Sequence, residues 1–261
     1  MHRIAATIVT YHSPIEDVVR AVDSFFATSL DVALSIVDNA SGSDYLEKLK
    51  AVVDARATII EAPRNGGFGY GHNIGMLKAP ECEFYLILNP DVRIHPGCLE
   101  ALIAYLQANP DVAVVGPKVL YEDGVLQPLN KRAPTVYDLL IRRFLPSFLA
   151  EKPFFKRRME HYMMLDTGYE APCEVEFLSG CFLLFRKSVL DRIGGFDERF
   201  FMYLEDADIT KRARELGRTM YCPDGVITHR WARGSHKKLS LMWVMLHSMV
   251  TYFSKWGVKW W

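Results

Sequence analysis

The sequence predicts an α/β fold: a single domain on a mostly parallel central sheet flanked by helices. Three observations predict it. Short β-branched apolar runs alternate with helical spacings along the first half of the chain. Polar clusters follow the predicted strands at Thr10-Tyr11, Asp38-Asn39 and Asn89-Pro90-Asp91. The chain has 261 residues and is 50% hydrophobic, enough for a substantial core and against disorder.

The elements follow in order. Ile4 to Thr10 is a β-branched strand. Pro14 to Thr28 has helical spacing, with Ile15, Val18, Val19, Val22, Phe25 and Phe26 on one side. Val32 to Val37 is a second strand, Tyr45 to Ala55 a helix and Ala57 to Glu61 a third strand. A helix is expected from Gly71 to Lys78. Phe84 to Leu88 is the fourth strand, Pro96 to Asn109 a helix and Val112 to Val115 the fifth strand. Residues 118–170 lose the alternation and read as an inserted helical flap or loop region. One more strand is expected near Val175, then an apolar run from Phe182 to Phe185 and a turn at Gly194-Gly195. The acidic cluster Glu205-Asp206-x-Asp208 then opens a helix. A basic, aromatic tail closes the chain and carries all five tryptophans.

Composition narrows the function. Formal net charge is zero, which argues against a dedicated nucleic-acid binder. Residues 131–162 carry eight Lys/Arg against three acids, and residues 229–261 carry six and none. Five cysteines without a C-x-x-C pair fit neither a zinc site nor a disulfide framework, and suit a reducing cytoplasm. The N-terminus reads as a buried strand rather than a signal peptide. No apolar run reaches the length of a membrane-spanning helix.

Four stretches could carry chemistry. In open α/β sheets the ligand sits beyond the carboxyl ends of the strands, where the polar clusters fall. Asp38 in VDNASGS is a turn residue by composition, yet an ionised carboxylate there would accept from an N–H edge. RNGGFGYGHNIG, Arg64 to Gly75, is glycine-dense but has no P-loop ending and follows the third strand rather than the first. Asn89-Pro90-Asp91 is either a strand-end turn or a cation site with one acid. Glu205 and Asp206 are either helix-start carboxylates favoured by the dipole or a general base beside an aromatic-lined pocket. Asp208 and Arg212, four apart, suit a structural ion pair.

These stretches, in this order over about residues 3–235, closely resemble the family 2 glycosyltransferases, especially the rhamnosyltransferase-like members. The match lies in Asn65, Gly67, Asn73 and Gly75, in Asn89-Pro90-Asp91, and in the segment from Phe177 through Asp206 to Gly217. The resemblance implies a GT-A fold. Residues 1–228 would form the transferase domain, with 1–117 as nucleotide-binding half, 118–170 as variable flap and 171–228 as acceptor-binding half. Residues 229–261 would be the tail. It further implies an inverting transferase with Asp206 as base and Glu205 assisting. Thr10, Tyr11, Asp38, Arg64, Asn65, Gly67, Asn73, Asn89, Gly180 and Arg233 would bind the nucleotide sugar. Asp91 and His229 would hold Mg2+ or Mn2+, oxygen ligands suiting either ion. Where the family usually carries Asp-x-Asp, this chain has Asn89, which predicts a weaker site.

The implied donor is dTDP-L-rhamnose, with UDP sugars as runner-up. The implied acceptor is a lipid-linked glycan of bacterial surface polysaccharide assembly. The tail could be an amphipathic core helix, a membrane-surface segment or a homodimer contact; tryptophan and lysine favour the membrane interface. The expected location is the inner face of the cytoplasmic membrane. Two rival readings are a membrane-recruited scaffold without catalysis and a sugar-nucleotide pyrophosphorylase. The second would need a glycine-rich basic loop where this chain has TYHSPIED.

Overall fold

The computed structural model describes residues 2–230 and 239–261, without the side chains of Phe144, Ser147, Ala150, Leu239 and Ser240. Its centre is one nine-stranded sheet. The strands are β1 (His2–Thr10), β2 (Val32–Asp38), β3 (Ala57–Glu61), β4 (Cys82–Leu88), β5 (Val92–Ile94), β6 (Val112–Leu120), β7 (Cys173–Glu174), β8 (Phe182–Arg186) and β9 (Arg218–His229). Their order is β3-β2-β1-β4-β8-β6-β9-β5, with β7 paired to β9. The half containing β1 to β4 is parallel throughout. Beyond it the sheet is mixed: β8 runs antiparallel to β4 and β6, while β9 runs parallel to β6.

That topology gathers the site at one edge. The carboxyl ends of β1, β2 and β4 point the same way as that of β9, because two antiparallel steps through β8 restore the direction. Thr10, Asp38 and His229 therefore end strands on one edge, Asn89 follows the last residue of β4 there, and Gly180 just precedes β8.

Period-two alternation divides the core between the two faces of the sheet. On β4, Phe84, Leu86 and Leu88 pack with helices α1 (Ile15–Phe26) and α4 (Cys98–Ala108). Tyr85 and Ile87 face the other layer, with Leu190 of α8 (Lys187–Ile193) and Ile209 of α9 (Glu205–Arg214). Burying each such side chain contributes roughly 1.5–3 kcal/mol. Helices α2 (Ser43–Val52) and α3 (Phe68–Lys78) complete the first half, α3 starting three residues before the expected Gly71. The 118–170 stretch is helical in its second part, as α5 (Val136–Phe144), α6 (Ser147–Ala150) and α7 (Pro153–Tyr162).

The tail holds α10 (Leu239–Trp256). Met249, Tyr252 and Phe253 on it share a cluster with Leu139, Phe177, Phe200 and Leu204, so one face of the tail is core. The carbonyls of Lys259 and Trp260 accept from Val136 and Tyr137, backbone donors in the first turn of α5 that have no partner within the helix. The opposite face leaves Trp243 exposed. No helix among the described residues is long and apolar enough to cross a membrane.

Candidate active site

The site grows from two loops docked on each other. Before α9 the chain makes an unusual turn, with Tyr203 and Leu204 both in the left-handed region at φ 72° and 64°. Such residues cost on the order of 1–3 kcal/mol each unless held by their surroundings. Phe201 O accepts from Phe68 N at 2.9 Å, and Met202 O accepts from Ser248 Oγ of α10 at 2.8 Å. Gly67 makes the first contact possible. Its φ is +95°, and a Cβ there would sit 2.0 Å from Phe201 O. The turn delivers Glu205 and Asp206 to the rim of a cavity of about 510 Å³, within the usual size of ligand pockets.

The two acids differ in surroundings. Asp206 is half-buried and lines the cavity. Its Oδ2 accepts from Gly180 N at 3.1 Å and its Oδ1 from Ala207 N at 3.0 Å. A Cβ on Gly180 would lie 3.2 Å from that of Asp206, so the glycine lets its own N–H approach the carboxylate. Glu205 is buried and its Oε2 has no hydrogen-bond partner. Burial, then the neighbouring Asp206, push its carboxyl well above the ordinary range. Burial thus favours the protonated form of Glu205, while Asp206 beside it keeps two backbone donors.

Asp91 and His229 meet as the sequence suggested, with Nε2 3.4 Å from Oδ1. His229 Nδ1 lies 2.9 Å from Gln127 Oε1. This contact orients the ring so that Nε2 faces Asp91. Two ligands at right angles on a cation with bonds of about 2.1 Å lie about 3 Å apart, so the pair fits one divalent ion. Among the described residues no three His, Cys, Asp or Glu side chains gather as a metal site. The remaining positions would fall to diphosphate and water. Arg230 does not offer a free fork for that diphosphate, because its Nη1 holds Asp17 at 2.8 and 3.0 Å.

The other assigned residues are placed as follows. Asp38 ends β2 but is 0% exposed. Its carboxylate accepts from Thr10 Oγ1 at 3.1 Å, Ser41 Oγ at 2.5 Å and Ser41 N at 2.7 Å. The turn occupies it here, and a base edge would have to displace Ser41. Asn65 Oδ1 caps Gly67 N at 3.1 Å, and Arg64 stacks on Tyr70 at 4.5 Å. Asn73 braces the 196–198 loop: Nδ2 donates to Phe196 O and Glu198 Oε1, and Oδ1 accepts from Phe196 N. Tyr11 is exposed, and Asn89 N donates to Cys181 O. Arg233 lies outside the described residues. Lys131, Arg142 and Tyr162 line the cavity with Asp206, and Gln127 supports His229. None of these four was marked by a motif; the nearest signal was the surplus of basic residues across 131–162.

Residues 6–194 match the family described as glycosyl transferase family 2. The chain belongs to that family. It is 29% identical over 224 residues to the N-acetylglucosaminyl-diphospho-decaprenol L-rhamnosyltransferase of Mycobacterium tuberculosis, covering 80% of this chain and 70% of that protein. It is 26% identical over 166 residues to rhamnosyltransferase WbbL of Escherichia coli K12, covering 60% and 58%. Among solved structures it resembles GalNAc-T7 with UDP, GalNAc and Mn2+, at TM-score 0.70 and 15% identity over 97% of this chain. It also resembles the mannosyltransferase PcManGT of Pyrobaculum calidifontis with GDP-Man and Mn2+, at TM-score 0.61 and 16% identity over 97% of this chain. The chain spans 48% and 64% of those two solved chains. These likenesses extend the GT-A architecture across the sheet described above.

Proposed function

We propose that this family 2 glycosyltransferase is an inverting, metal-dependent enzyme moving L-rhamnose from dTDP-L-rhamnose to a hydroxyl of a lipid-linked glycan. The observation that carries the proposal is the split of roles at the cavity rim. Both acids line the cavity, but Asp206 is oriented by two backbone N–H groups while burial favours the protonated form of Glu205. The relatives named as rhamnosyltransferases support the sugar, and the decaprenol-linked one supports the acceptor class.

Asp206 takes the proton of the acceptor hydroxyl onto a carboxylate oxygen. The acceptor oxygen forms a bond to the anomeric carbon as that carbon's bond to the diphosphate breaks on the opposite face. The electron pair leaves with the nucleoside diphosphate. Asp91 and His229 would hold a divalent cation, which supplies charge stabilisation to the departing diphosphate. Glu205, as a neutral acid, can donate a hydrogen bond within the cavity.

Asp206→Asn should lower turnover of dTDP-rhamnose at least 100-fold, the scale of a general base, with dTDP binding unchanged. Retained turnover would remove Asp206 from this role. A thermal-shift series separates donor and metal: stabilisation by dTDP with Mn2+ should exceed that by GDP or CMP and vanish in EDTA. A stronger response to UDP would transfer the assignment to a UDP sugar. His229→Ala should lose the Mn2+-dependent part of the shift, and a full shift in that variant would exclude it as ligand.

A further inference from the structure

The cavity beside Asp206 holds more polar groups than a proton acceptor requires. Lys131 is only 4% exposed, yet it lines the cavity and forms no ion pair among the described residues. Phe177 holds it in place: the two backbones exchange hydrogen bonds at 3.1 and 2.9 Å, and Nζ lies 4.0 Å from the ring centroid. The hydroxyl of Tyr162 is buried at the same cavity with no hydrogen-bond partner. Arg142 and Arg143, at the end of α5, complete a wall of donors. The same cavity is also lined by the apolar Leu129, Leu139, Leu204 and Met245, and by the acids Glu205 and Asp206.

A buried cation held only by a ring face, with no ion pair, and a buried hydroxyl with no hydrogen bond are costly unless a ligand completes them. The donors here are all of the kind that bind phosphate, two of them planar guanidinium forks. The apolar lining suits a ligand that also carries hydrocarbon. We propose that Lys131, Tyr162, Arg142 and Arg143 form a subsite for the phosphate or diphosphate of an isoprenoid-linked acceptor, whose first lipid units run along the Leu129–Met245 wall. This rests on the reading of the cavity as the acceptor site. It adds that the acceptor is recognised by its anion, close to the sugar whose hydroxyl meets Asp206. The donor diphosphate is the competing source of such chemistry: of its expected partners, Asp91 lies outside this cavity but His229 lines it, so the two anions must be told apart by experiment.

The test titrates farnesyl diphosphate, farnesol and inorganic pyrophosphate into the full chain by calorimetry, in EDTA and again with excess dTDP. Farnesyl diphosphate should bind in both conditions, with farnesol and pyrophosphate each at least ten-fold weaker. Arg142→Glu lies at an exposed position and Lys131→Met at a buried one. Each should weaken farnesyl diphosphate at least ten-fold while leaving farnesol unchanged. Equal affinity for farnesyl diphosphate in wild type and Arg142→Glu would overturn the proposal. So would farnesol binding as well as its diphosphate, which would mean a merely apolar pocket. Competition by dTDP would assign the cations to the donor instead. Binding that depends on Lys131 and Arg142 in a chain showing no response to any nucleotide would uphold the subsite and defeat the donor assignment.

Discussion

Two adjacent carboxylates, Glu205 and Asp206, differ because one lost its solvent and the other kept backbone donors. That difference has a sign that can be checked. Glu205 is raised above its ordinary 4.5 by burial and by Asp206. Between that value and its folded one, the unfolded chain has released a proton that the folded chain still holds, so stability falls as pH rises. Glutamine copies the neutral acid without titrating. Glu205→Gln should therefore melt increasingly above wild type as pH rises above the ordinary 4.5, measured by calorimetric melts, and a constant difference would refute the raised carboxyl. The place of Asp206 at a cavity was legible in sequence because three acids in four residues behind aromatics exceed what a helix start needs. Lys131 was not, since nothing local distinguishes a cavity lysine from a surface one. It packs on the ring of Phe177, which is 46 residues away in sequence. Lys131 is pulled down to about 8 by burial and by Arg142, against the opposing pull of Asp206. An anion held by it should thus bind less tightly above that pH.

At the scale of elements, α9 is fixed to the tail through one fully buried carboxylate. Asp208 accepts from Arg212 at 2.8 Å, from Lys255 at 2.7 Å and from Trp256 Nε1 at 2.8 Å. The i,i+4 pair with Arg212 was readable from spacing. The partners on α10 were not, being nearly fifty residues distant. Removing one member of a buried charge cluster strands the others. Asp208→Asn should cost about 3 kcal/mol and lower the melting temperature by roughly 6–12 °C, and a shift under 2 °C would show that α10 is not anchored there. The strands of the first half were legible because each is an uninterrupted β-branched run. β9 escaped notice because Cys222-Pro223-Asp224-Gly225 reads as a turn. The strand continues through it by a bulge, the pairing jumping from Pro117↔Cys222 to Lys118↔Val226. That bulged strand is what carries His229 to the site edge, so missing it hid how Asp91 and His229 come to face each other. β5 and α8 were also unassigned, three and seven residues long, too short for a period to show.

Across the whole molecule, exposed aromatics concentrate in the segments that follow the first half of the sheet. Phe148, Phe154, Trp243, Trp260 and Trp261 are all 60% exposed or more. The Trp261 ring lies 4.3 Å from Tyr137, so the chain end is tied to α5, whose last turn carries Arg142 and Arg143. The tail is thus core on one side, as Met249, Tyr252 and Phe253 require, and apolar toward solvent on the other. On the proposal that a lipid-linked acceptor enters beside Leu129 and Met245, that outer face would meet the membrane, because indole rings and basic side chains partition to the headgroup layer. The contact should be electrostatic as well as apolar, each basic residue near an anionic surface adding about 1 kcal/mol. Trp260→Ala combined with Trp261→Ala and Phe154→Ala should lower binding to vesicles of phosphatidylglycerol and phosphatidylethanolamine at least ten-fold in co-sedimentation. Turnover on a short-chain, water-soluble acceptor should stay unchanged, since none of the three lines the acceptor cavity. Wild-type binding should also weaken as salt rises. Undiminished vesicle binding by the triple variant would move the outward aromatics from a membrane role to a contact between protein chains, which sedimentation velocity of the wild type would then reveal as a dimer.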